Sequence, residues 1–164
     1  MLTFEKITSD DQIRQTAEIA NEIWHQHFSS ILSTEQIDYM VEKFQSYPAL
    51  KNQIGSGYEY YAFIIDGVQV GYFGICEKPD NTLFLSKLYL KKEYRGNSYA
   101  SQAFEFIKNI GRQNGNTMVW LTVNKYNDSS IAVYKHWGME VIRDEITDIG
   151  GGFVMDDYVF GLRL

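Results

Sequence analysis

The chain has 164 residues, 45% of them hydrophobic and 15% aromatic, with only 2 prolines; this suits one continuous core and is too short for two comfortable ones, so one domain over residues 1–164 is expected. A formal net charge of -6 argues against nucleic acid or anionic membrane as a partner, because the overall field repels phosphate, and it is compatible with a cationic small molecule. The single cysteine, Cys76, excludes an intramolecular disulfide and a thiolate-rich zinc site, and with no basic-then-apolar leader and no run near the roughly 20 apolar residues of a membrane span, a cytoplasmic setting is expected.

Leu2 to Ile7 reads as a short strand. Ser9 with Gln12 forms a capping-box pattern opening a helix, along which Ile13, Ala17, Ala20, Ile23 and Trp24 recur at helical spacing. Ser33 with Gln36 repeats the pattern ahead of Ile37, Met40, Val41 and Phe44, one apolar stripe of a second helix. A third short helix starts near Pro48 and stops at Gly55-Ser56-Gly57. The character then changes: Tyr58 to Ile65 is aromatic and β-branched, Asp66-Gly67 is a strong hairpin turn, and Val68 to Glu77 returns as its partner. After the Lys78–Asn81 turn, Thr82 to Leu90 reads as a third strand.

From Tyr99 the period becomes helical, with Ala100, Ala103, Phe104, Ile107 and Ile110 on one face, ending at Asn114-Gly115-Asn116. Met118 to Val123 suits a buried strand. Asn127 or Asp128 can cap a short helix to Trp137, with Gly138 as its left-handed terminus. Glu140 to Thr147 and Phe153 to Leu164 read as two last strands around Gly150-Gly151-Gly152. The order β, helices, three strands, helix, strand, helix, two strands implies an α/β fold with a mixed sheet and helices on both faces.

The stretch Lys91 to Gly111, KKEYRGNSYASQAFEFIKNIG, joins a strand to an amphipathic helix through small residues. Such a junction leaves backbone N–H groups open at the positive end of the helix dipole, where a pyrophosphate can sit. Gly96, Ser98 and Ala100 permit close backbone approach, Ser98 and Ser101 can add hydroxyl donors, and Arg95 can add a charged contact. Neither G-x-x-x-x-G-K-[ST] nor a G-x-G-x-x-G after the first strand is present, so a P-loop and a dinucleotide fold are unsupported.

Arg95-Gly96-Asn97-Ser98-Tyr99-Ala100 resembles the acetyl-CoA pyrophosphate loop Q/R-x-x-G-x-G/A of the GNAT N-acetyltransferase family, with Ser98 in place of the usual glycine. LTVNKYNDSSIAVYKHWGM, Leu121 to Met139, resembles that family's strand, asparagine, short helix, tyrosine and terminal glycine, and the order of elements from Leu2 to Leu164 agrees with it. EQIDYMVEKFQS and TDIGGGFVMDDYVF are similar to the PaiA-like group, associated with spermidine and spermine acetylation. The resemblance implies the single-domain GNAT fold, a mostly antiparallel sheet of about seven strands, and acetyl transfer from acetyl-CoA to a primary amine, a polyamine or similar small amine, by direct attack in a ternary complex. A peptide or protein amine as acceptor, and a non-catalytic protein that senses acyl-CoA, are the alternatives.

By that resemblance Tyr134 is the general acid beside the CoA sulfur. Leu88, Tyr89 and Leu90 offer a strand edge to the pantetheine arm; Asn127 hydrogen-bonds that arm; Arg95, Gly96, Asn97, Ser98, Tyr99, Ala100 and Ser101 hold the pyrophosphate, with Lys135 as a further phosphate ligand. Trp24, His27, Glu35, Tyr39 and Asp156 are expected to receive the acceptor, since aromatics with carboxylates suit a polyammonium chain. Thr82 to Leu90 contains no carboxylate, so Glu77, Asp156, Asp157 and a water chain all stay open as general base. No metal is expected, because His25 and His27, two apart, face different ways on a helix. The family likeness also allows a homodimer through the last strands.

Overall fold

The computed structural model describes residues 1–164. In chain order it comprises β1 (Leu2–Lys6), α1 (Asp10–Phe28), α2 (Thr34–Met40), a π-helical turn (Val41–Gln45), α3 (Tyr47–Gly55), β2 (Glu59–Ile65), β3 (Val68–Glu77) and β4 (Leu83–Leu90). A 3₁₀ turn (Lys92–Tyr94) then leads to α4 (Tyr99–Gln113), β5 (Met118–Asn124), α5 (Asp128–His136), β6 (Glu140–Gly150) and β7 (Phe153–Arg163). The seven strands form one sheet in the order β1-β2-β3-β4-β5-β7-β6. Neighbours are antiparallel except β4 and β5, which run parallel.

Local signals account for most boundaries. Ser9 accepts from the Gln12 N–H at 3.2 Å while Gln12 Oε1 accepts from the Ser9 N–H at 3.0 Å, a closed capping box. Asp66 and Gly67 both take positive φ, 51° and 79°, as the tight hairpin between β2 and β3 requires. The second helix departs from its apolar pattern. α2 ends at Met40, and in the wider π turn that follows Val41 and Phe44 are only partly buried against the Ile37 and Met40 cluster while Gln45 is fully buried and accepts from the Tyr72 hydroxyl at 2.8 Å. β6 also runs three residues past Thr147, held by pairing of Thr147 with Met155 and Asp148 with Val154.

The sheet separates two apolar layers. On one face Val119, Leu121 and Val123 of β5 pack with Ala103, Phe104 and Ile107 of α4. On the other, Tyr60 and Tyr72 pack under Ile19, Ile23 and Leu50 of α1 and α3, and a third cluster joins Trp24, Phe28, Ile37 and Met40 to Ile149 of β6.

β4 changes phase between these layers. Gly74 of β3 pairs with Lys87 and Ile75 pairs with Leu85, so Ser86 is an extra residue, a β-bulge. Leu83 and Leu85 before it and Leu88 and Leu90 after it consequently all face the α4 core, while Lys87 and Tyr89 turn to the helical side. Pairing of β4 with β5 is confined to Leu83–Val119 and Phe84–Trp120, and beyond the bulge the two strands part. A Cβ at Gly74 would lie 2.7 Å from the Tyr60 ring, so only glycine there lets that ring cross β3 and bring its hydroxyl to Lys87.

Candidate active site

The gap between β4 and β5 opens into a cleft of about 870 Å3. One wall is the backbone of Leu88, Tyr89 and Leu90, which pairs with β3 on one side and has no strand on the other. Past that wall lies the start of α4. Ser98 is its N-cap in the left-handed region, φ 64°, with no side-chain cap bond, so the N–H groups of the first turn remain available to an anion. Gly96, φ 81°, has nothing within 4 Å of where a Cβ would stand, which leaves the loop's outer surface clear. Arg95 donates through Nε to the Leu90 carbonyl at 3.2 Å and lines the cleft. An extended strand edge leading to an open helix N-terminus fits a peptide-like arm that carries a pyrophosphate, the shape and charge of CoA.

Tyr134 of α5 faces the cleft beside Trp137 and Phe160, with ring centroids 5.6 and 6.1 Å away. Burial pushes its phenol up to about 12, so it is protonated at neutral pH and able to donate. Asn127 is the N-cap of α5, accepting from the Ser130 N–H at 3.4 Å, and its amide donates to His27 Nε2 at 3.2 Å. His27 is held down at about 4 by burial and by the Arg95 charge. It is therefore neutral, and Nε2 can accept. Trp24 packs on Phe28 and Tyr89 at 4.5 and 5.5 Å and closes the helical side of the cleft.

Not every expected residue reaches this space. Tyr99, Ala100 and Ser101 line the cleft with Gly96 and Ser98, whereas Asn97 is exposed, with its amide turned back to the Tyr94 and Arg95 carbonyls. Lys135 is exposed on α5, away from the lining. Glu35 is exposed in the first turn of α2; Tyr39 donates to the Ile149 carbonyl at 2.8 Å; Asp156 is paired with Lys125 at 3.0 Å. None of these three lines the cleft. Glu77 accepts from the Asn116 amide at 3.2 Å, and it too lies outside, as does Cys76.

The cleft gathers others instead. Asp157 of β7, opposite Asn124 of β5 and Glu145 of β6, is 5% exposed, and its Oδ1 has no hydrogen-bond donor. Burial, with the nearby Glu145 and Asp156 charges, pushes its carboxyl up to about 6, against a smaller pull from Lys125. Lys87 is 7% exposed, and its Nζ donates to the Phe44 carbonyl at 2.8 Å, to Gln53 Oε1 at 2.7 Å and to the Tyr60 hydroxyl. Burial lowers this ammonium to about 7. Phe84 and Trp120, the last pair before the strands part, stack at 4.3 Å on the cleft floor. Asp157 stood among the candidate bases, but Glu145, Lys87 and the aromatic pair carried no sequence signal, because their meeting depends on register and on the bulge.

Comparison with known proteins agrees with this geometry. The model of the Acetyltransferase (GNAT) family matches residues 16–139. An uncharacterised N-acetyltransferase in the pepI 3′ region of Lactobacillus delbrueckii subsp. lactis is 23% identical over 150 residues, 87% of each chain. The PaiA N-acetyltransferase of Thermoplasma acidophilum, solved in complex with coenzyme A, superposes with a TM-score of 0.85 at 21% identity, covering 100% of this chain and 99% of that one. A GCN5-related N-acetyltransferase structure from Rhodopseudomonas palustris gives 0.81 at 14% identity, covering 99% and 95%. The chain belongs to the Acetyltransferase (GNAT) family and is an acetyl-CoA-dependent N-acetyltransferase.

Proposed function

We infer that this enzyme passes the acetyl group directly to the primary amine of a small acceptor, with Asp157 as general base and Tyr134 as general acid. The observation that carries the reading is the Asp157 carboxylate, buried on the cleft wall with one oxygen lacking any donor. An amine entering the cleft supplies that donor. A base poised near 6 is ionised at neutral pH and basic enough to take the proton of an ammonium as the nitrogen attacks.

Bound acetyl-CoA supplies the thioester carbonyl. The protein's groups do the rest: the free edge of Leu88–Leu90 aligns the arm, the first turn of α4 with Arg95 holds the pyrophosphate, and Ser98, Tyr99, Ala100 and Ser101 lie around it. As the nitrogen–carbon bond forms and the carbon–sulfur bond breaks, Asp157 accepts the amine proton and Tyr134 donates to the departing sulfur. Direct transfer is supported by the position of Cys76, which lies outside the cleft lining and so offers no thiol for an acyl-enzyme.

The likeness to the PaiA enzyme makes a polyamine one acceptor to test, while Asp157 and Glu145, neighbours across β6 and β7, can share one ammonium and so account for the amine end of any small acceptor. The aromatic end of the cleft, with Lys78 beside Phe84, sets a different requirement on the rest of the acceptor. A cytoplasmic setting, as the lone cysteine indicates, goes with a small metabolite as substrate.

The test is amine-dependent release of CoA thiol from acetyl-CoA, with spermidine, spermine, simple alkylamines, amino acids and short peptides, for wild type and Tyr134→Phe. Turnover with small amines that falls ten- to a hundredfold without the phenol, at unchanged KM for acetyl-CoA, is expected. Turnover confined to peptides, or full activity in Tyr134→Phe, would overturn the reading.

A further inference from the structure

Phe84 and Trp120 are half-buried and belong to none of the three apolar clusters, although every other large aromatic pair on the sheet packs into one. They stack with ring centroids 4.3 Å apart and planes 26° apart, and the pair is held in place. The indole N–H of Trp120 donates to the Thr82 hydroxyl at 2.9 Å, and that hydroxyl donates to Asp80 at 2.6 Å. Two rings fixed in this way on the floor of a cleft turn their shared faces to each other and leave aromatic edges to whatever enters.

The charges around the platform are not those a polyammonium chain would seek. Lys78 Nζ lies 5.1 Å from the Phe84 ring and 5.6 Å from the ring of Tyr58, which also lines the cleft. Lys87, next to Leu88 and across the bulge from Phe84, is saturated by a carbonyl, an amide oxygen and a phenol, with no carboxylate among its partners. Both carboxylates of the cleft lining, Asp157 and Glu145, lie on β7 and β6, farther along the splay. The cleft thus sets both its carboxylates where an amine would react and neither where the acceptor's far end would rest. A second ammonium over the platform would meet Lys78 beside Phe84 and neither carboxylate of the lining, whereas a flat uncharged group would meet two rings and no repulsion.

We propose that the acceptor is a primary amine carrying a planar aromatic group, whose ring packs edge-to-face against Phe84 and Trp120 while its nitrogen reaches Asp157. This rests on reading the cleft as the site of acetyl transfer. Because Ser86 is extra, Phe84 and Leu88 lie opposite Cys76 and Phe73, three steps apart on β3, which places the platform roughly 10 Å from Leu88 at about 3.3 Å per residue. The acetyl group and the acceptor's linker share that span, so a linker of a few carbons between nitrogen and ring fits and a ring attached directly to nitrogen does not.

The experiment compares aryl- and alkylamines matched for length, from benzylamine to 4-phenylbutylamine against butylamine to octylamine, with spermidine alongside, on wild type, Trp120→Leu and Trp120→Phe. Wild type should prefer the aryl series by about tenfold in kcat/KM, mostly through KM, with an optimum above one linker carbon. Trp120→Leu should bring the aryl-to-alkyl ratio near one, and Trp120→Phe should restore most of it; a ratio is unaffected by a general loss of activity. Equal use of both series, or spermidine as best acceptor with a preference untouched by Trp120→Leu, overturns the proposal while leaving acetyl transfer standing. If no amine turns over, calorimetric titration of 4-phenylbutylamine and octylamine into the CoA-saturated protein decides it. Tighter aryl binding, lost in Trp120→Leu, supports the platform even though the transfer reading has failed, and equal binding sinks both.

Discussion

Asp157→Asn separates the proposed base from a structural carboxylate, because the two roles move stability and rate in opposite directions. Folding raises this carboxyl from its usual 3.8 to about 6. The protonated form is therefore favoured in the native state, and its contribution is present below pH 4 and lost as pH rises through 6. Roughly two pH units correspond to about 3 kcal/mol as an upper limit to the penalty carried at neutral pH. Asparagine removes that penalty but leaves an amide where Oδ1 already lacks a partner, which costs about 1–2 kcal/mol. A net gain of about 1–2 kcal/mol at pH 7.5 follows, or about 3–6 °C in Tm for a chain of this length. Rate moves the other way: kcat/KM should drop about 10²–10³-fold, the usual worth of a general base. In wild type it should fall about tenfold per pH unit below 6. Thermal melts across pH 4–8 and pH–rate profiles of both proteins measure these quantities. An Asp157→Asn enzyme within threefold of wild type in kcat/KM, with the acidic limb still in place, would refute the assignment.

Ser98→Gly should relieve the left-handed strain at φ 64°, raising stability by about 0.5–1 kcal/mol after the added flexibility of glycine is counted. Melts with and without CoA check this, and Ser98→Val should do the reverse. Lys87→Met should change stability at pH 7 by less than about 1 kcal/mol, because the Phe44 carbonyl keeps the Gln53 amide at 3.1 Å and Gln53 Oε1 keeps the Tyr60 hydroxyl. Lys87 is depressed to about 7 in the fold, so wild-type stability should rise between pH 7 and 10 as the unfolded chain's lysine stays charged, and urea titrations of Lys87→Met should lack that rise. Since His27 is neutral at every pH above about 4, His27→Gln should leave the pH–rate profile unchanged in shape while raising KM for acetyl-CoA through the loosened Asn127 amide.

What the sequence disclosed was local. The Ser9–Gln12 box, the Asp66-Gly67 hairpin and the apolar face of α4 each rest on residues within one turn of one another, and each stands where its pattern places it. The loop from Arg95 to Ser101 is of this kind as well, a junction of small residues before a helix, although the left-handed φ at Ser98 could not be read from a serine. The acceptor half of the cleft was not legible because its members meet across long separations. Asp157 faces Asn124 and Glu145 through strand register, and Lys87 finds the Phe44 carbonyl only because a π turn aims it there. Glu35 and Asp156, chosen for charge and residue type, were drawn elsewhere by solvent and by Lys125. Phe84 and Trp120 look like ordinary strand residues until the two strands are paired.

Ser86 links these observations. Without an extra residue at that point β4 would keep its alternation, and Leu88 and Leu90 would turn toward the helices while Lys87 and Tyr89 entered the α4 core, where an ammonium could not be satisfied. The bulge lets the α4 core continue unbroken through Leu83, Leu85, Leu88 and Leu90 and also bends β4 away from β5. The same residue therefore leaves the backbone edge of Leu88–Leu90, proposed to hold the CoA arm, without a neighbouring strand and sends Lys87 to the opposite face of the sheet from the α4 core. The gap itself exists because strand pairing ends at Phe84–Trp120, which is why a stacked aromatic pair marks the floor of the cleft.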